Sequence, residues 1–243
     1  MMRTLLGAVS FLTVIPIHAK TVAPGRSAAF FPLIGAAIGA LGAAIYLGLE
    51  RAIPDSLAAL LTVAFWTAIT GVLHEDGLAD VADALRAGRT QEKMHAILKD
   101  SRVGSYGAVA IVLSIVARWQ AIEHLAGGRV LEIFIASQTV PRVAMVALAW
   151  VSRPAGTGLG LAFSSTLSTS AALLAIAQGI AAAFLCGARA GGAIIIAAYL
   201  LIRIARWYFY RRIGGVNGDC LGATEQVLEI FILVLFTCRA CSW

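Results

Sequence analysis

Charged residues are scarce in this sequence. They make up 13% of its 243 residues, whereas a soluble globular domain has about a quarter. Hydrophobic residues make up 60%, and no regular ten-residue alternation of apolar and polar positions indicates a β-barrel. In a bilayer, only helices and closed β-barrels provide hydrogen-bond partners for all backbone N–H and C=O groups. We therefore predict an all-α fold, a polytopic helical bundle integral to the membrane.

Cysteine and proline are also few, with four and six residues. The cysteines show no disulfide framework, and Cys238-Arg-Ala-Cys241 has redox or metal spacing without a second pair. Pro16 interrupts the apolar stretch 4–17, and no small-residue cleavage site follows it. Residues 1–27 are therefore expected to form an interfacial or re-entrant segment, not a signal peptide.

Seven apolar segments follow, each long enough for a hydrocarbon core of roughly 30 Å. They lie near residues 28–49, 57–74, 104–124, 130–151, 171–188, 190–210 and 221–238. No internal repeat is visible, which disfavours an inverted-repeat transporter. We treat residues 1–243 as a single membrane-embedded domain.

The basic residues are distributed unevenly between the predicted loops. With the N-terminus in the cytoplasm, 13 of the 19 Lys and Arg lie on the cytoplasmic side and 4 on the other. The remaining two, Arg118 and Arg142, lie inside predicted spans. The positive-inside rule favours this orientation, which leaves the C-terminus outside. Basic loops facing an anionic leaflet also explain the net charge of +6 without nucleic acid as a partner.

Three aspartates, Asp76, Asp80 and Asp83, have the spacing i, i+4, i+7. On a helix, the second and third lie about +40° and −20° around the axis from the first, so all three share one face. Three like charges in two turns repel each other unless a cation compensates them. Carboxylate oxygens suit Mg²⁺, which favours a metal site. The alternative is a solvent-exposed helix face on which Arg86 or Arg89 pairs with Asp80 and Asp83.

Two polar loops are predicted on the cytoplasmic side, residues 75–103 and 211–220. In the first, Lys99 and Arg102 flank Asp100 just before a span, which suits phosphate binding, with Asp100 as a fourth metal ligand or a base. Positive-inside anchoring is the alternative. In the second, Asn217 and Asp219 are bounded by glycines and could bind substrate or metal, although Asn-Gly is equally a turn dipeptide. Their common side indicates one site.

A further group of charges falls within the predicted spans. Arg118 and Arg142 have natural partners in Glu225 and Glu229, one turn apart in the last span. We predict buried ion pairs that set helix register, and the alternative is a cavity for an anionic ligand. His74 ends a span beside the acids, so it could act as a general base or orient a carboxylate.

Four motifs together resemble one family, the cobalamin synthase or adenosylcobinamide-GDP ribazoletransferase family. The motifs are Phe11–Pro16, Leu73–Asp83, Ile97–Gly107 and Gly214–Ala223. They occur in order over nearly the whole chain, and the spacing of the second and third is specific. The departures are small: Ala84 stands where the family usually has Gly, and Val14 where Arg is common.

The resemblance implies a multi-pass enzyme of the bacterial inner membrane with a cytoplasmic active site. Such an enzyme joins adenosylcobinamide-GDP to α-ribazole or its 5′-phosphate, releases GMP and uses Mg²⁺. It also leaves room for an oligomer and for contacts with other enzymes of cobalamin assembly.

Roles for the motif residues follow from the same resemblance. Asp76, Asp80 and Asp83 are expected to hold the metal on the diphosphate, and Asp100 to complete the site or take the hydroxyl proton. The residues expected to contact the phosphates or complete the substrate site are Lys99, Arg102, Asn217 and Asp219. The choice of general base, including His74, stays open.

Other classes of protein fit the residues less well. A CDP-alcohol phosphatidyltransferase-like enzyme would have Arg after Ala79, where this chain has Asp80. A cation-coupled transporter would place its carboxylates near the bilayer midplane, not at the end of a span. A membrane scaffold gives no reason for three stacked acids.

Overall fold

The computed structural model describes residues 1–17, 22–100, 102–125, 128–156 and 158–238. These residues form eleven α-helices and one 3-10 helix, with a single β-bridge between Pro154 and Val216. The predicted all-α class is confirmed. Two residues of the predicted motifs, Ser101 and Cys241, lie outside the described residues, as do positions 18–21 of the predicted N-terminal segment.

The 3-10 helix covers Pro24–Phe30. The α-helices, in chain order, are α1 Met2–Leu12, α2 Phe31–Leu49, α3 Asp55–Ile69, α4 Leu73–Ala87, α5 Gln91–Ile97, α6 Ser105–Glu123, α7 Val130–Trp150, α8 Leu159–Thr166, α9 Thr169–Leu185, α10 Ala188–Ile213 and α11 Gly218–Leu235. Each predicted span therefore contains one of these helices.

Four helical segments in the described ranges are long and apolar enough to cross a membrane alone: Pro24–Leu49, Ser105–Glu123, Val130–Trp150 and Ala188–Ile213. Two bent pairs, α3 with α4 and α8 with α9, raise the number to six if each pair is one span. α11 carries three acids, which keeps it out of this set. The polytopic membrane architecture agrees with the prediction, while the count of seven and the N-terminal orientation stay predictions.

The predicted span 57–74 ends earlier than expected, because α3 stops at Ile69 and the chain turns sharply. Gly71 and Val72 both have φ of 63°, and α4 leaves at 86° to α3. α4 carries four acids, so it is more polar than a lipid-facing span, and it packs against α6 and α11. The predicted loop 75–103 is consequently largely helical. The loop 211–220 narrows to 214–217 between α10 and α11.

The interior of the bundle is built on α7 and α11. α7 packs against α2, α9 and α11, and 16 of its 21 residues are buried. On α2, Gly35 and Gly39 lie so close to the α7 backbone at Gln138 and Phe134 that a side chain would clash. Small residues permit such approach between membrane helices. α11 packs in turn against α4 and α6, which brings the predicted acidic motif onto the central helix.

Candidate active site

The three predicted aspartates all lie on α4, and their environments differ. Asp76 is exposed, Asp80 is partly buried, and Asp83 is only 7% exposed. The helical spacing inferred from the sequence is therefore present. The differing burial separates the three carboxylates by function.

Asp83 holds the start of α6. Its two carboxylate oxygens accept hydrogen bonds from the backbone amides of Gly104 at 2.7 Å and Gly107 at 3.0 Å. A carboxylate at a helix N-terminus satisfies amides that have no partner within the helix, and it interacts favourably with the helix dipole. Asp83 thus ties α4 to α6 in this structure.

Asp76 is brought beside α11 by a close contact between two helices. Gly77 of α4 lies against the backbone of Asp219, and a Cβ there would be 3.0 Å from the Asp219 carbonyl oxygen. Gly222 of α11 faces α4 in the same contact. Because neither glycine has a side chain, the two acids from distant parts of the sequence share one region.

Asn217 positions Asp219 at the start of α11. Its side-chain oxygen caps the helix by accepting from the Cys220 amide at 3.0 Å, and its Nδ2 donates to Asp219 Oδ2 at 2.7 Å. The Asn-Gly pair is therefore a helix cap rather than a simple turn. Asn217 ends the loop 214–217, and Asp219 lies in the first turn of α11.

The acids of this region repel one another. Burial, followed by the charges of Asp76, Asp219 and Asp83, raises the pKa of Asp80 to about 7. Burial and, to a lesser extent, Asp76 also raise the pKa of Asp219, although the Asn217 hydrogen bond opposes the shift. Negative charge is thus concentrated between α4 and α11.

No Lys or Arg in the described ranges forms an ion pair with Asp76, Asp80 or Asp219. Arg86, the partner offered by the alternative interpretation, instead lies over the Tyr106 ring at 5.6 Å. The negative charges of Asp76, Asp80 and Asp219 are therefore not neutralised by an ion pair with Lys or Arg in the described ranges. This is the charge balance expected around a bound divalent ion.

Within the described part of the chain, no three His, Cys, Asp or Glu side chains are placed to hold a metal ion by themselves. Mg²⁺ commonly takes one or two carboxylates and completes its octahedron with water and substrate phosphates. One or two carboxylates among Asp76, Asp80 and Asp219 could therefore serve a metal that is shared with a phosphorylated substrate.

Two adjoining cavities open on Asp219. The first, which we call the aromatic cavity, has a volume of about 230 Å³ and is lined by three phenylalanines together with His74, Asp76 and Asp219. The second, the basic cavity, has a volume of about 280 Å³ and contains His95, Lys99 and Asn217. Gly160, Gly218 and Asp219 line both. The acidic region thus lies at the junction of two chemically different chambers.

The predicted cluster at 99–102 is divided by the structure. Lys99 lines the basic cavity. Asp100 and Arg102 pair with each other at 2.6 Å in an exposed position, and hydrogen bonds from Arg102 lower the pKa of Asp100. The structure therefore places Lys99 on the same cavity as Asp219, without an ion pair between them, and leaves the Asp100–Arg102 pair outside both cavities.

The predicted buried ion pairs are confirmed. Arg118 contacts Glu75 at 2.8 Å and Glu229 at 3.3 Å. Arg142 pairs closely with Glu225 and lies 3.6 Å from Glu229. All five side chains are at most 2% exposed. Glu75 was not assigned to this group from the sequence, because it stands next to the acidic motif and its partner lies 43 residues away.

His74 joins the buried ion pairs to the aromatic cavity. Its Nδ1 lies 3.4 Å from Glu225 Oε2, whereas its Nε2 has no hydrogen-bond partner. The side chain is 1% exposed and lines the aromatic cavity. A buried polar atom without a partner costs free energy unless a water or a ligand satisfies it, so Nε2 is available to a ligand in this cavity.

Phe11, Phe31 and Phe163 were not predicted as site residues. In the sequence they are ordinary members of apolar segments, and only the packing of α1, α2 and α8 brings them together. Phe11 belongs to the first of the sequence motifs, which was the one available signal.

Fold and site together define a polytopic membrane protein with a group of acids beside two cavities, an arrangement suited to a phosphorylated substrate. The family model of cobalamin-5-phosphate synthase matches residues 4–237. The chain belongs to the cobalamin-5-phosphate synthase family.

Curated relatives agree with this assignment. A protein of Ralstonia pickettii is 33% identical over 95% of this chain and 93% of its own length. One of Shewanella piezotolerans is 34% identical over 97% and 95%, and one of Bradyrhizobium diazoefficiens is 36% identical over 94% and 90%. All three are named adenosylcobinamide-GDP ribazoletransferase. No solved structure matches the chain.

Proposed function

We propose that this protein is an adenosylcobinamide-GDP ribazoletransferase, which transfers the cobinamide phosphate to α-ribazole or α-ribazole 5′-phosphate and releases GMP. The family assignment supports the overall reaction. The observation that connects this reaction to the structure is the group of acids Asp76, Asp80 and Asp219, of which Asp76 lines the aromatic cavity and Asp219 lines both cavities. Neither a phosphatidyltransferase nor a transporter has comparable support.

The reaction exchanges one phosphorus–oxygen bond for another. The α-ribazole hydroxyl oxygen forms a bond to the cobinamide-side phosphorus, and the bond from that phosphorus to the bridging oxygen breaks, so that GMP leaves. Bound Mg²⁺ would neutralise charge on the diphosphate and polarise the attacked phosphorus. One or two carboxylates among Asp76, Asp80 and Asp219 would hold this ion, and Lys99 would stabilise charge on the departing phosphate.

His74 is the proposed acceptor of the hydroxyl proton. Its Nε2 is unpartnered and lines the cavity that contains Asp76, while Asp100 is engaged by Arg102. Metal ligation by Asp83 and Asp100, phosphate binding by Arg102 and substrate contact by Asn217 stay predictions. In this structure Asp83 holds α6, and Asn217 holds Asp219.

The activity is testable with purified protein in lipid nanodiscs. Adenosylcobinamide-GDP, α-ribazole and Mg²⁺ are expected to yield GMP and cobalamin in equal amounts, because each transfer releases one GMP. Chelation of divalent metal is expected to stop both products, and added Mg²⁺ to restore them. GMP release without cobalamin, or undiminished turnover in chelator, would contradict the proposal.

We further propose that the protein lies in the bacterial cytoplasmic membrane with both cavities facing the cytoplasm. The Lys and Arg distribution supports this orientation, since Arg86, Arg89 and Lys93 adjoin the acidic motif. A Thr90→Cys variant is expected to resist membrane-impermeant maleimide in intact spheroplasts and to react after lysis. An Arg51→Cys variant, on the opposite predicted side, should react in both. Reversal of the two patterns would overturn the orientation.

A further inference from the structure

The aromatic cavity has an unusual wall. Phe11 of α1, Phe31 of α2 and Phe163 of α8 place their ring centroids 5.3, 5.4 and 6.0 Å apart. Their planes are within 16–21° of parallel. The three rings stack on one another at one end of the cavity, where Phe11 is half-buried and Phe31 and Phe163 are at most 1% exposed. An aromatic wall favours a flat aromatic ligand over an aliphatic one.

The same cavity also has polar lining residues. His74 Nε2, Asp76 and Asp219 lie there, and the imidazole nitrogen has no partner. A ligand that satisfies this cavity therefore combines a flat apolar part with a hydrogen-bonding part. A nucleoside with an apolar aromatic base has this combination, since its sugar hydroxyls can reach the polar side.

Cavity size distinguishes between the two substrates. A volume of about 230 Å³ is smaller than the roughly 300–1,000 Å³ typical of drug-sized ligands. A corrinoid macrocycle is far too large for it. The benzimidazole base of α-ribazole is bicyclic and planar, and it is the only substrate part that is both apolar and flat at this scale.

The basic cavity has the opposite character. Lys99 and His95 line it, and Asn217 adds an amide, while none of its lining residues is aromatic except the imidazole. Positive charge with hydrogen-bond donors suits phosphate groups. Its connection to the aromatic cavity through Asp219 allows a diphosphate and a nucleoside to meet at the acidic region.

We propose that the aromatic cavity is the α-ribazole subsite, with the base against Phe11, Phe31 and Phe163 and the ribose directed to His74 and Asp76. The GDP part of adenosylcobinamide-GDP occupies the basic cavity, and the corrinoid stays outside both. This assignment rests on the proposed function and adds the substrate that each cavity receives. It makes the three phenylalanines determinants of acceptor specificity.

The test compares the two Michaelis constants in leucine variants. Phe11→Leu and Phe163→Leu keep apolar bulk and remove an aromatic face, a loss of about 0.5–1.5 kcal/mol per aromatic contact. We expect the KM for α-ribazole to rise about 3-fold to 10-fold, while the KM for adenosylcobinamide-GDP changes less than 2-fold. Lys99→Gln should raise the second constant and spare the first.

Phe134→Leu is the matched control, because Phe134 is fully buried, as Phe163 is, but packs against Trp66 and Tyr46. The Phe134→Leu variant should leave the KM for α-ribazole and the KM for adenosylcobinamide-GDP unchanged. Its melting temperature is compared with those of the Phe11→Leu and Phe163→Leu variants. A rise in the KM for adenosylcobinamide-GDP in the Phe11 and Phe163 variants, or no change in either constant, would overturn the assignment. An inactive wild-type protein would instead refute the proposed function.

A measurement on the wild-type protein removes dependence on variant folding. Free 5,6-dimethylbenzimidazole should inhibit competitively against α-ribazole and not against adenosylcobinamide-GDP, because it would occupy only the aromatic cavity. Competition with adenosylcobinamide-GDP, or lack of inhibition at millimolar concentration, would count against the subsite.

Discussion

Asp76→Asn, Asp80→Asn and Asp219→Asn should each lower kcat/KM by about 10²-fold to 10³-fold, comparable to loss of one electrostatic stabiliser in an active site. Each change removes a negative charge from a group of acids that no Lys or Arg of the described residues pairs with. Metal affinity should fall as well, so the Mg²⁺ concentration for half-maximal rate is expected to rise. Steady-state kinetics over a Mg²⁺ titration measure both effects.

Two further variants make this result specific. Glu92→Gln removes an exposed acid from the same region of sequence and should leave the kinetics unchanged. Asp83→Asn should mainly lower the melting temperature, because the Asp83 carboxylate accepts from two amides of α6. Normal turnover by Asp76→Asn and Asp80→Asn at limiting Mg²⁺ would refute the proposed metal role.

Arg142→Met should destabilise the folded bundle by about 3–5 kcal/mol, since it strips the partner from buried carboxylates. Glu225 and Glu229 lie on the interior helix α11 and are at most 1% exposed, so water cannot replace the guanidinium. The free energy of unfolding can be followed by steric trapping or by denaturation in mixed micelles.

The double variant Arg142→Met/Glu225→Gln should recover part of this loss, because it removes one uncompensated charge. Arg203→Met on the exposed face of α10 serves as the control and should change stability little. Equal losses in the single and double variants would mean that Arg142 stabilises the protein through packing, not through its charge.

The same interior charges have a consequence for the active site. Glu225 contacts both Arg142 and His74, so the ion pairs inside the bundle also orient a residue of the aromatic cavity. The packing of α4 against α11 therefore affects both the stability of the bundle and the geometry of the site. The glycine contact between Gly77 and Gly222 acts on the same pair of helices.

Much of the site was predictable because its signals are local. The spacing of Asp76, Asp80 and Asp83 depends only on helical periodicity, and the structure places all three on α4. The pairing of Arg118 and Arg142 with acids of α11 followed from the cost of isolated charge in a span. Neither argument needed to know which helices are neighbours.

Other parts depended on long-range packing. Asp83 caps a helix that begins 21 residues later, and Glu75 pairs with an arginine 43 residues away. The sharp turn after α3 also escaped prediction, because apolar residues continue through it to Leu73. Composition alone does not predict a bend in the chain. The sequence also does not show which distant donor will form a hydrogen bond with a given carboxylate.

The sequence by itself determined the membrane class, the helical periodicity, the family and the acidic face of α4, because each follows from composition or from residues close in the chain. Tertiary structure alone decided which aspartates reach the cavities and where the aromatic wall lies. It joined α1, α2 and α8 around Phe11, Phe31 and Phe163, and it joined α4 to α11 through two glycines. Those contacts join residues that are far apart in the chain, so they depend on which helices pack against each other and cannot be inferred from local sequence.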